Sequence, residues 1–222
     1  MFCRRDIDVK KIWCFLVLPI IFVAARIWTA ADLSQLISFG LFVAASFLVS
    51  LLLYFLLCKI DFTLKKTIFM IAFLALTDQL LKLVIYKNKF GANLIGPLLR
   101  IEMTKNVNQT AMFNYFDLEF DTLVVIIFKI VTFLVLCCIF AGLKNKSANI
   151  VQMFILLLSA DISNIADSVI WGYTLDYVYF YKLTCYDLKD FYVDTAIGIL
   201  LMEIFCKYKS KREISEKTLD VK

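Results

Sequence analysis

Residues 150–171 read IVQMFILLLSADISNIADSVIW, and this stretch decides the fold. It is long enough for a membrane-spanning helix, which needs about 20 largely apolar residues. Its second half carries polar residues spaced by three and four, namely Asp161, Asn164, Asp167 and Ser168. That spacing puts them on one stripe of a helix. An ionisable group at the bilayer centre costs about 2.5–3.5 kcal/mol, so the stripe is expected to face protein or water. Interhelical hydrogen bonding explains a polar stripe, but two carboxylates exceed what packing requires.

The rest of the chain has the same apolar character. Hydrophobic residues make up 62% of its 222 residues, against about 45–50% in soluble domains. Apolar blocks long enough to predict helices occupy about 12–29, 36–58, 67–86, 122–143, 150–171 and 191–205. The first block follows four basic residues, as a signal peptide does. Its length and the block that follows at once favour a retained helix.

The basic residues are placed as topology signals. The net charge is +5, and Lys and Arg form short clusters beside the apolar blocks rather than one patch for nucleic acid. Six spans put both termini on one side. The positive-inside rule then predicts that both termini are cytoplasmic, because the N-terminus and the tail after residue 206 are rich in Lys and Arg.

Composition also excludes several kinds of chemistry. The chain has no histidine, which removes Ser–His and Cys–His catalysis and histidine-based zinc sites. Its seven cysteines form no C-x-x-C pair, so we expect no metal and no cofactor. Asp78 and Lys82 lie four residues apart in the third block, and this spacing predicts an ion pair on one helix face. The sequence leaves open whether that pair is structural or functional.

Two further aspartates lie at the predicted outer end of the bundle. Asp176 follows the fifth block and Asp194 lies just inside the sixth, and neither has a basic partner in its own segment. Two carboxyls about 3 Å apart share a proton, because both cannot easily be ionised. The ionised carboxyl activates a water molecule, and the protonated one polarises a peptide carbonyl. Such a pair hydrolyses peptides without metal or histidine.

Five segments, taken together, resemble signal peptidase II, the lipoprotein signal peptidase family of bacteria. They are DQLLK at 78–82, NQTAMF at 108–113, NIAD at 164–167, GYTLD at 172–176 and YVDTAI at 192–197. They are similar to the family patterns D-Q-x-x-K, N-x-G-A-A-F, G-N-x-x-D-R, G-x-V-V-D and F-N-x-A-D-x-x-I. Their order, spacing and membrane position agree with the family over roughly residues 67–205.

The resemblance implies an all-α polytopic membrane protein. Its four-helix core carries a small outer β element, and two extra N-terminal transmembrane helices precede it. The implied regions are an N-terminal extension (1–62), a peptidase-like membrane domain (63–206) and a cytoplasmic polar tail (207–222). Asp176 and Asp194 would form the catalytic dyad of an aspartic endopeptidase. The implied supporting or substrate-binding residues are Asp78, Lys82, Asn108, Asn164 and Asp167.

The implied substrate is a prolipoprotein whose cysteine carries diacylglycerol, cut just before that cysteine. Membrane lipid is the other expected partner, and we expect a monomer that binds no nucleic acid. The implied location is the bacterial inner membrane, with the active site at its outer face. The chain departs from the family pattern at Thr110 for glycine, Ser168 for arginine and Phe191 for asparagine.

Two other functions compete with proteolysis. A catalytically impaired homologue would keep the helices and bind lipopeptides or partner helices without cleavage, which the changes at Ser168 and Phe191 favour. A small transporter would use Asp161, Lys129 and Asp167 as an ion path through the bilayer. Retention of both Asp176 and Asp194 favours the peptidase.

Overall fold

The structure is a computed structural model that describes residues 12–27, 32–60, 62–106, 121–144 and 146–219. A helix lies at each of the six apolar blocks. In chain order the helices are α1 (Cys14–Arg26), α2 (Leu33–Cys58), α3 (Leu64–Asn88), α4 (Thr122–Gly142), α5 (Ala148–Trp171) and α6 (Leu188–Leu219). The strands are β1 (Ala92–Ile95), β2 (Leu99–Asn106), β3 (Thr174–Phe180) and β4 (Thr184–Tyr186). The all-α membrane architecture with a small β element is therefore confirmed.

Helices α2, α3, α4 and α5 are long and apolar enough to cross a membrane, so the chain is a multi-pass membrane protein. Helix α1 has 13 residues, or about 20 Å at 1.5 Å per residue. That is short of the roughly 30 Å hydrocarbon core. Helix α6 contains the predicted sixth block and continues with polar residues to Leu219. On α4 most side chains are exposed and apolar, as expected for a helix in contact with lipid.

Local sequence explains where the helices begin and end. Asp32 accepts a hydrogen bond from the backbone N–H of Gln35 at 2.8 Å and caps α2. Ser147 caps α5 in the same way. Helix α5 ends at Gly172, whose φ of 73° lies in the left-handed region that glycine adopts without a steric penalty. This turn leads the chain directly into β3.

The four strands form one antiparallel sheet in the order β1-β2-β3-β4. Strand β3 is central, and it pairs with β2 so that Asp176 lies opposite Thr104. The sheet packs against α2, α3 and α5. The end of α3, the end of α5 and the start of α6 therefore meet on the side of the bundle where the sheet lies.

Helices α5 and α6 form the centre of the bundle. Helices α3 and α4 pack on α5, whereas α1 and α2 pack on α6. The contact between α1 and α6 is close at Gly198, where an added Cβ would lie 2.2 Å from Cδ1 of Phe15. Thr195 Oγ1 and Ser50 Oγ are 3.0 Å apart and join α6 to α2. The N-terminal helices are thus packed into the same core as the rest of the bundle.

Candidate active site

A group of buried charged side chains lies where the helix ends meet the sheet. We call it the charged cluster, and its members are Asp78, Lys82, Asp167, Asp176, Asp187, Lys189 and Asp190. They come from α3, α5, β3 and the start of α6. Four of the carboxyls thus share two ammonium groups, and Asp190, which is half-buried, lies beside them. Because burial penalises charge, such a group must share protons as well as ion pairs.

Lys82 occupies the centre of the cluster. Its Nζ lies 2.7 Å from carboxylate oxygens of Asp78, Asp167 and Asp187, and the four side chains are fully buried. The ion pair predicted between Asp78 and Lys82 is therefore confirmed. An ammonium group has three N–H donors, and three carboxylates surround this one. Lys82 binds α3, α5 and the start of α6 to one another.

Lys189 is the second cation of the cluster. Its Nζ lies 3.3 Å from Asp167 Oδ2 and 3.5 Å from Asp176 Oδ1, and it also contacts Asp187 Oδ2. Its side chain is only 8% exposed. Lys189 therefore connects Asp176 on the sheet with Asp167 on α5.

Neutral side chains hold the carboxylates in place. Gln79 Nε2 donates to Asp167 Oδ1 at 2.8 Å and to Ser163 Oγ at 2.9 Å. Ser163 in turn donates to Asp78. The Tyr177 hydroxyl accepts a hydrogen bond from the backbone N–H of Leu188 at 3.0 Å and so ties β3 to the start of α6. These bonds fix the carboxylate orientations from neighbouring elements.

The electrostatics distinguish two of the carboxyls that pair with Lys189, those of Asp176 and Asp187. Burial raises the pKa of Asp176 to about 6, although Lys189 acts in the opposite direction. Burial would also raise the pKa of Asp187, but the charges of Lys189 and Lys82 outweigh it and hold that pKa below its ordinary value. Asp187 is therefore ionised at neutral pH, and Asp176 can gain or lose a proton close to neutrality.

Asp194 lies on α6, four residues after Asp190, so the two share one helix face. A carboxylate oxygen of Asp190 lies within 4.8 Å of one from Asp176. Asp194 is 4% exposed, and its Oδ2 has no hydrogen-bond partner among the described residues. Tyr186 of β4 and Ser46 of α2 are the polar side chains beside the Asp194 carboxyl. A buried oxygen without a partner is rare in proteins and marks a position where a substrate or water can bind.

The structure brings most of the predicted site residues to one place. Asp78, Lys82, Asp167 and Asp176 belong to the charged cluster, and Asp194 lies one helical turn beyond its member Asp190. Asn164 lies one turn before Ser168 on α5. Its Oδ1 is buried and has no hydrogen-bond partner in the described part of the chain, and its backbone oxygen accepts a hydrogen bond from Lys129 Nζ at 3.2 Å. The predicted residue Asn108 lies outside the described residues.

Sequence reasoning missed Asp187, Lys189 and Asp190. The backbone N–H of each aspartate donates to the carboxylate of the other, at 3.1 and 3.2 Å, which is a capping box at the start of α6. A local pattern of this kind predicts a helix start and nothing more. The signal that could have found them is Lys189, because a lysine in the first turn of a helix opposes the helix dipole.

Three of these carboxyls could in principle hold a metal ion. One oxygen each from Asp176, Asp187 and Asp190 lie within 4.8 Å of one another. However, Lys189 contacts both Asp176 and Asp187. An ammonium group among the three oxygens supplies the positive charge that a cation would bring, so the donor set does not favour a metal.

An apolar groove leads towards the charged cluster from the membrane side. It lies between α3 and α4 over α5 and has a volume of about 670 Å³. Its walls include Leu64, Ile71, Phe133, Phe140 and Ile162, and Gln79 and Ser163 also line it. Since Gln79 and Ser163 hydrogen-bond members of the cluster, the groove borders the cluster.

Comparisons with known proteins agree with this fold. A family model described as Signal peptidase (SPase) II matches residues 70–206. Two solved structures, each titled as a bacterial membrane enzyme, share the fold. The first is 18% identical to this chain with a TM-score of 0.56, and the match covers 68% of this chain and 94% of the matched one. The second is 17% identical with a TM-score of 0.54, and the match covers 65% of this chain and 95% of the matched one. No curated protein sequence matches the chain.

Proposed function

Because the chain belongs to the signal peptidase II family, we propose that it is a membrane aspartic endopeptidase acting on diacylglyceryl-modified prolipoproteins. It removes the signal peptide by cutting before the lipid-bearing cysteine. The observation that carries the proposal is the pair of environments around Asp176 and Asp194. Asp176 has a cation at 3.5 Å, whereas Asp194 is buried and one of its oxygens has no hydrogen-bond partner within the ranges that the structure describes. Pairs of carboxyls in unlike environments are how proteins assign a base and an acid.

The reaction then follows from these two environments. Asp176, ionised beside Lys189, accepts a proton from water as the oxygen attacks the scissile carbonyl carbon. Asp194, protonated, donates its proton to the carbonyl oxygen, and a tetrahedral diol forms. On collapse the diol returns a proton to Asp194, and Asp176 gives its proton to the departing nitrogen. The C–N bond breaks, and both carboxyls regain their starting states.

The apolar groove supports a substrate that carries lipid. Fifteen helical residues separate Leu64 from Gln79, a distance of about 22 Å at 1.5 Å per residue. An acyl chain lying there would leave its headgroup end beside the charged cluster. The proposal also places the active site at the outer face of a bacterial inner membrane, with both termini cytoplasmic. The enzyme would work as a monomer without metal or cofactor.

The test is cleavage of a lipid-modified prolipoprotein by the purified protein in lipid vesicles. We expect cleavage to fall by at least about 100-fold in Asp176→Asn and in Asp194→Asn, and to be slower on the unlipidated precursor than on the lipidated one. Asp161→Asn is the matched control, because Asp161 is a carboxyl on α5 that forms no ion pair with the cluster. It should cleave at the wild-type rate.

One observation favours a second candidate, a homologue that binds lipopeptides without cutting them. Phe191 is 5% exposed and packs in the hydrophobic core against Tyr186, at 5.4 Å between ring centroids, so position 191 offers no polar group to a substrate. Folded wild-type protein that retains the lipidated precursor but leaves it intact would establish this alternative. An ion flux across the vesicles that Asp161→Asn abolishes and Asp176→Asn does not would instead favour a transporter.

A further inference from the structure

Lys189 occupies a position that helix formation does not explain. It lies in the first turn of α6, where a positive charge opposes the helix dipole. It is also buried, and an ammonium group loses its hydration on burial. A residue that costs stability in two ways is expected to be retained for its contacts.

Those contacts join two elements that the chain separates. Lys189 Nζ lies 3.5 Å from Asp176 Oδ1 on β3 and 3.3 Å from Asp167 Oδ2 on α5. Among the described residues no other cation forms an ion pair with Asp176. Lys82 lies instead between Asp78, Asp167 and Asp187.

Position 168, next to Asp167, carries no charge of its own. Ser168 accepts a hydrogen bond from Lys129 Nζ at 2.6 Å. Lys129 also donates to the backbone oxygen of Asn164. Its ammonium group is therefore bound one helical turn away from the sheet, on the face of α5 that meets α4.

We propose that Lys189 is a positioning residue that keeps Asp176 ionised and turned towards Asp167, supplying from α6 the positive charge that Ser168 does not carry. Its catalytic meaning rests on the proposed function, in which Asp176 is the base. The ionisation of Asp176 can be measured whether or not the protein cleaves anything.

The other charged or titratable groups around Asp176 come from every neighbouring element. They are Lys82 and Asp78 on α3, Asp167 on α5, Cys185 on β4, and Asp187 and Asp190 at the start of α6. Most are anionic when ionised and oppose the ionisation of Asp176. With Lys189 neutral, Lys82 would be the one ammonium group left in the charged cluster.

The first measurement is the titration of the Asp176 carboxyl by infrared spectroscopy, assigned by subtraction of Asp176→Asn. We expect Lys189→Met to raise the midpoint by about one to three pH units, the usual effect of an opposite charge on an aspartate. Lys189→Arg keeps the charge and should stay within half a unit of the wild type. Lys182→Met is the charge-matched control, because Lys182 is exposed and pairs with Asp32.

The second measurement is the pH profile of cleavage. The acidic limb of the kcat/KM profile should move to higher pH together with the infrared midpoint, so that kcat/KM of Lys189→Met falls about fivefold or more at pH 6 and recovers at higher pH. A purely structural role for Lys189 would lower the rate at all pH values and leave the limb in place. That result would overturn the proposal.

Asp187→Asn provides a second variant in case Lys189→Met does not fold. Asparagine caps a helix as well as aspartate does, so α6 should still begin at the same residue. Without this anion, Lys189 pairs only with Asp167 and Asp176. The infrared midpoint of the Asp176 titration should therefore fall. An unchanged or higher midpoint would contradict the role of Lys189.

The outcomes separate this inference from the proposed function. Wild-type protein that cleaves nothing, but whose Asp176 midpoint rises in Lys189→Met, refutes the peptidase and supports the inference. If the wild-type protein cleaves the precursor, and Lys189→Met has the same infrared midpoint and the same acidic limb as the wild type, the peptidase is supported and the inference is refuted.

Discussion

Lys82 Nζ and Asp167 Oδ2 lie 2.7 Å apart, and both side chains are inaccessible to solvent. The two residues are 85 positions apart in the chain. Their contact fixes the position of α3 along the axis of α5, at the ends of these helices next to the sheet. It also means that the carboxylates of the candidate site depend on a cation that no substrate needs to touch.

The first prediction concerns the stability that Lys82 provides. Lys82→Met leaves Asp78, Asp167 and Asp187 without their shared cation, and removal of one partner of a buried pair costs about 3–5 kcal/mol. Thermal unfolding in detergent should therefore begin at a clearly lower temperature. Lys207→Met is the control, because that lysine is 64% exposed and its pair with Glu203 is worth no more than about 1 kcal/mol. Equal shifts in the two variants would show that the cluster contributes little to stability.

The second prediction concerns pH. With the pKa of Asp176 at about 6, the ionised base is present above that pH and is lost as the pH falls through it. The value of kcat/KM should therefore drop about tenfold for each pH unit below 6. The measurement is a pH profile on lipidated precursor in vesicles, with unfolding followed in parallel to confirm that the protein stays folded. An acidic limb near pH 4, the ordinary range of an exposed aspartate, would contradict the effect of burial.

A third prediction tests the contact between α1 and α6. In Gly198→Ala the new Cβ would lie 2.2 Å from the buried Phe15 ring, and overpacking of this kind costs about 1–3 kcal/mol. Gly40→Ala is the matched helical control, because nothing lies within 4 Å of its added Cβ. It should be neutral or stabilising by up to about 1 kcal/mol.

Phe15→Ala combined with Gly198→Ala completes that experiment. The double variant should lose less stability than the two single changes added together, because the smaller side chain relieves the clash. Additive losses would mean that α1 does not pack on α6 at this point.

A fourth prediction concerns metal ions. Lys189 lies against Asp176 and Asp187, so the oxygens that could ligate a cation already have an ammonium partner. We expect EDTA and 1,10-phenanthroline to leave the cleavage rate within a factor of two. A rate that falls with chelator and returns with added Mn²⁺ or Zn²⁺ would show that a metal displaces the lysine.

Much of the fold could be predicted because local patterns encode it. Apolar runs predicted where the helices lie, and the four-residue spacing of Asp78 and Lys82 predicted their ion pair. The polar stripe of α5 was predicted to face protein, and Asp167 and Ser168 are indeed buried. Each of these properties depends on residues within one or two helical turns of each other.

The rest of the site could not be predicted from local spacing. Lys189 reaches Asp167 across 22 positions and Asp176 across 13, and no helical period connects them. Asp187 and Asp190 match a common capping pattern, which hides their place in the cluster. The placement of Ser46 beside Asp194 depends on how α2 packs on α6, a tertiary contact that composition does not specify.

The length of α2 has a consequence for how the protein responds to its lipid surroundings. Its 26 residues extend about 39 Å, roughly 9 Å more than the hydrocarbon core. At the end near the sheet, Gln35 donates to the backbone oxygen of Lys182 and Ser38 to that of Leu98. A thicker bilayer would draw this polar end into hydrocarbon or force the helix upright. We therefore expect the depth of Asp176, which the sheet carries, to change with bilayer thickness.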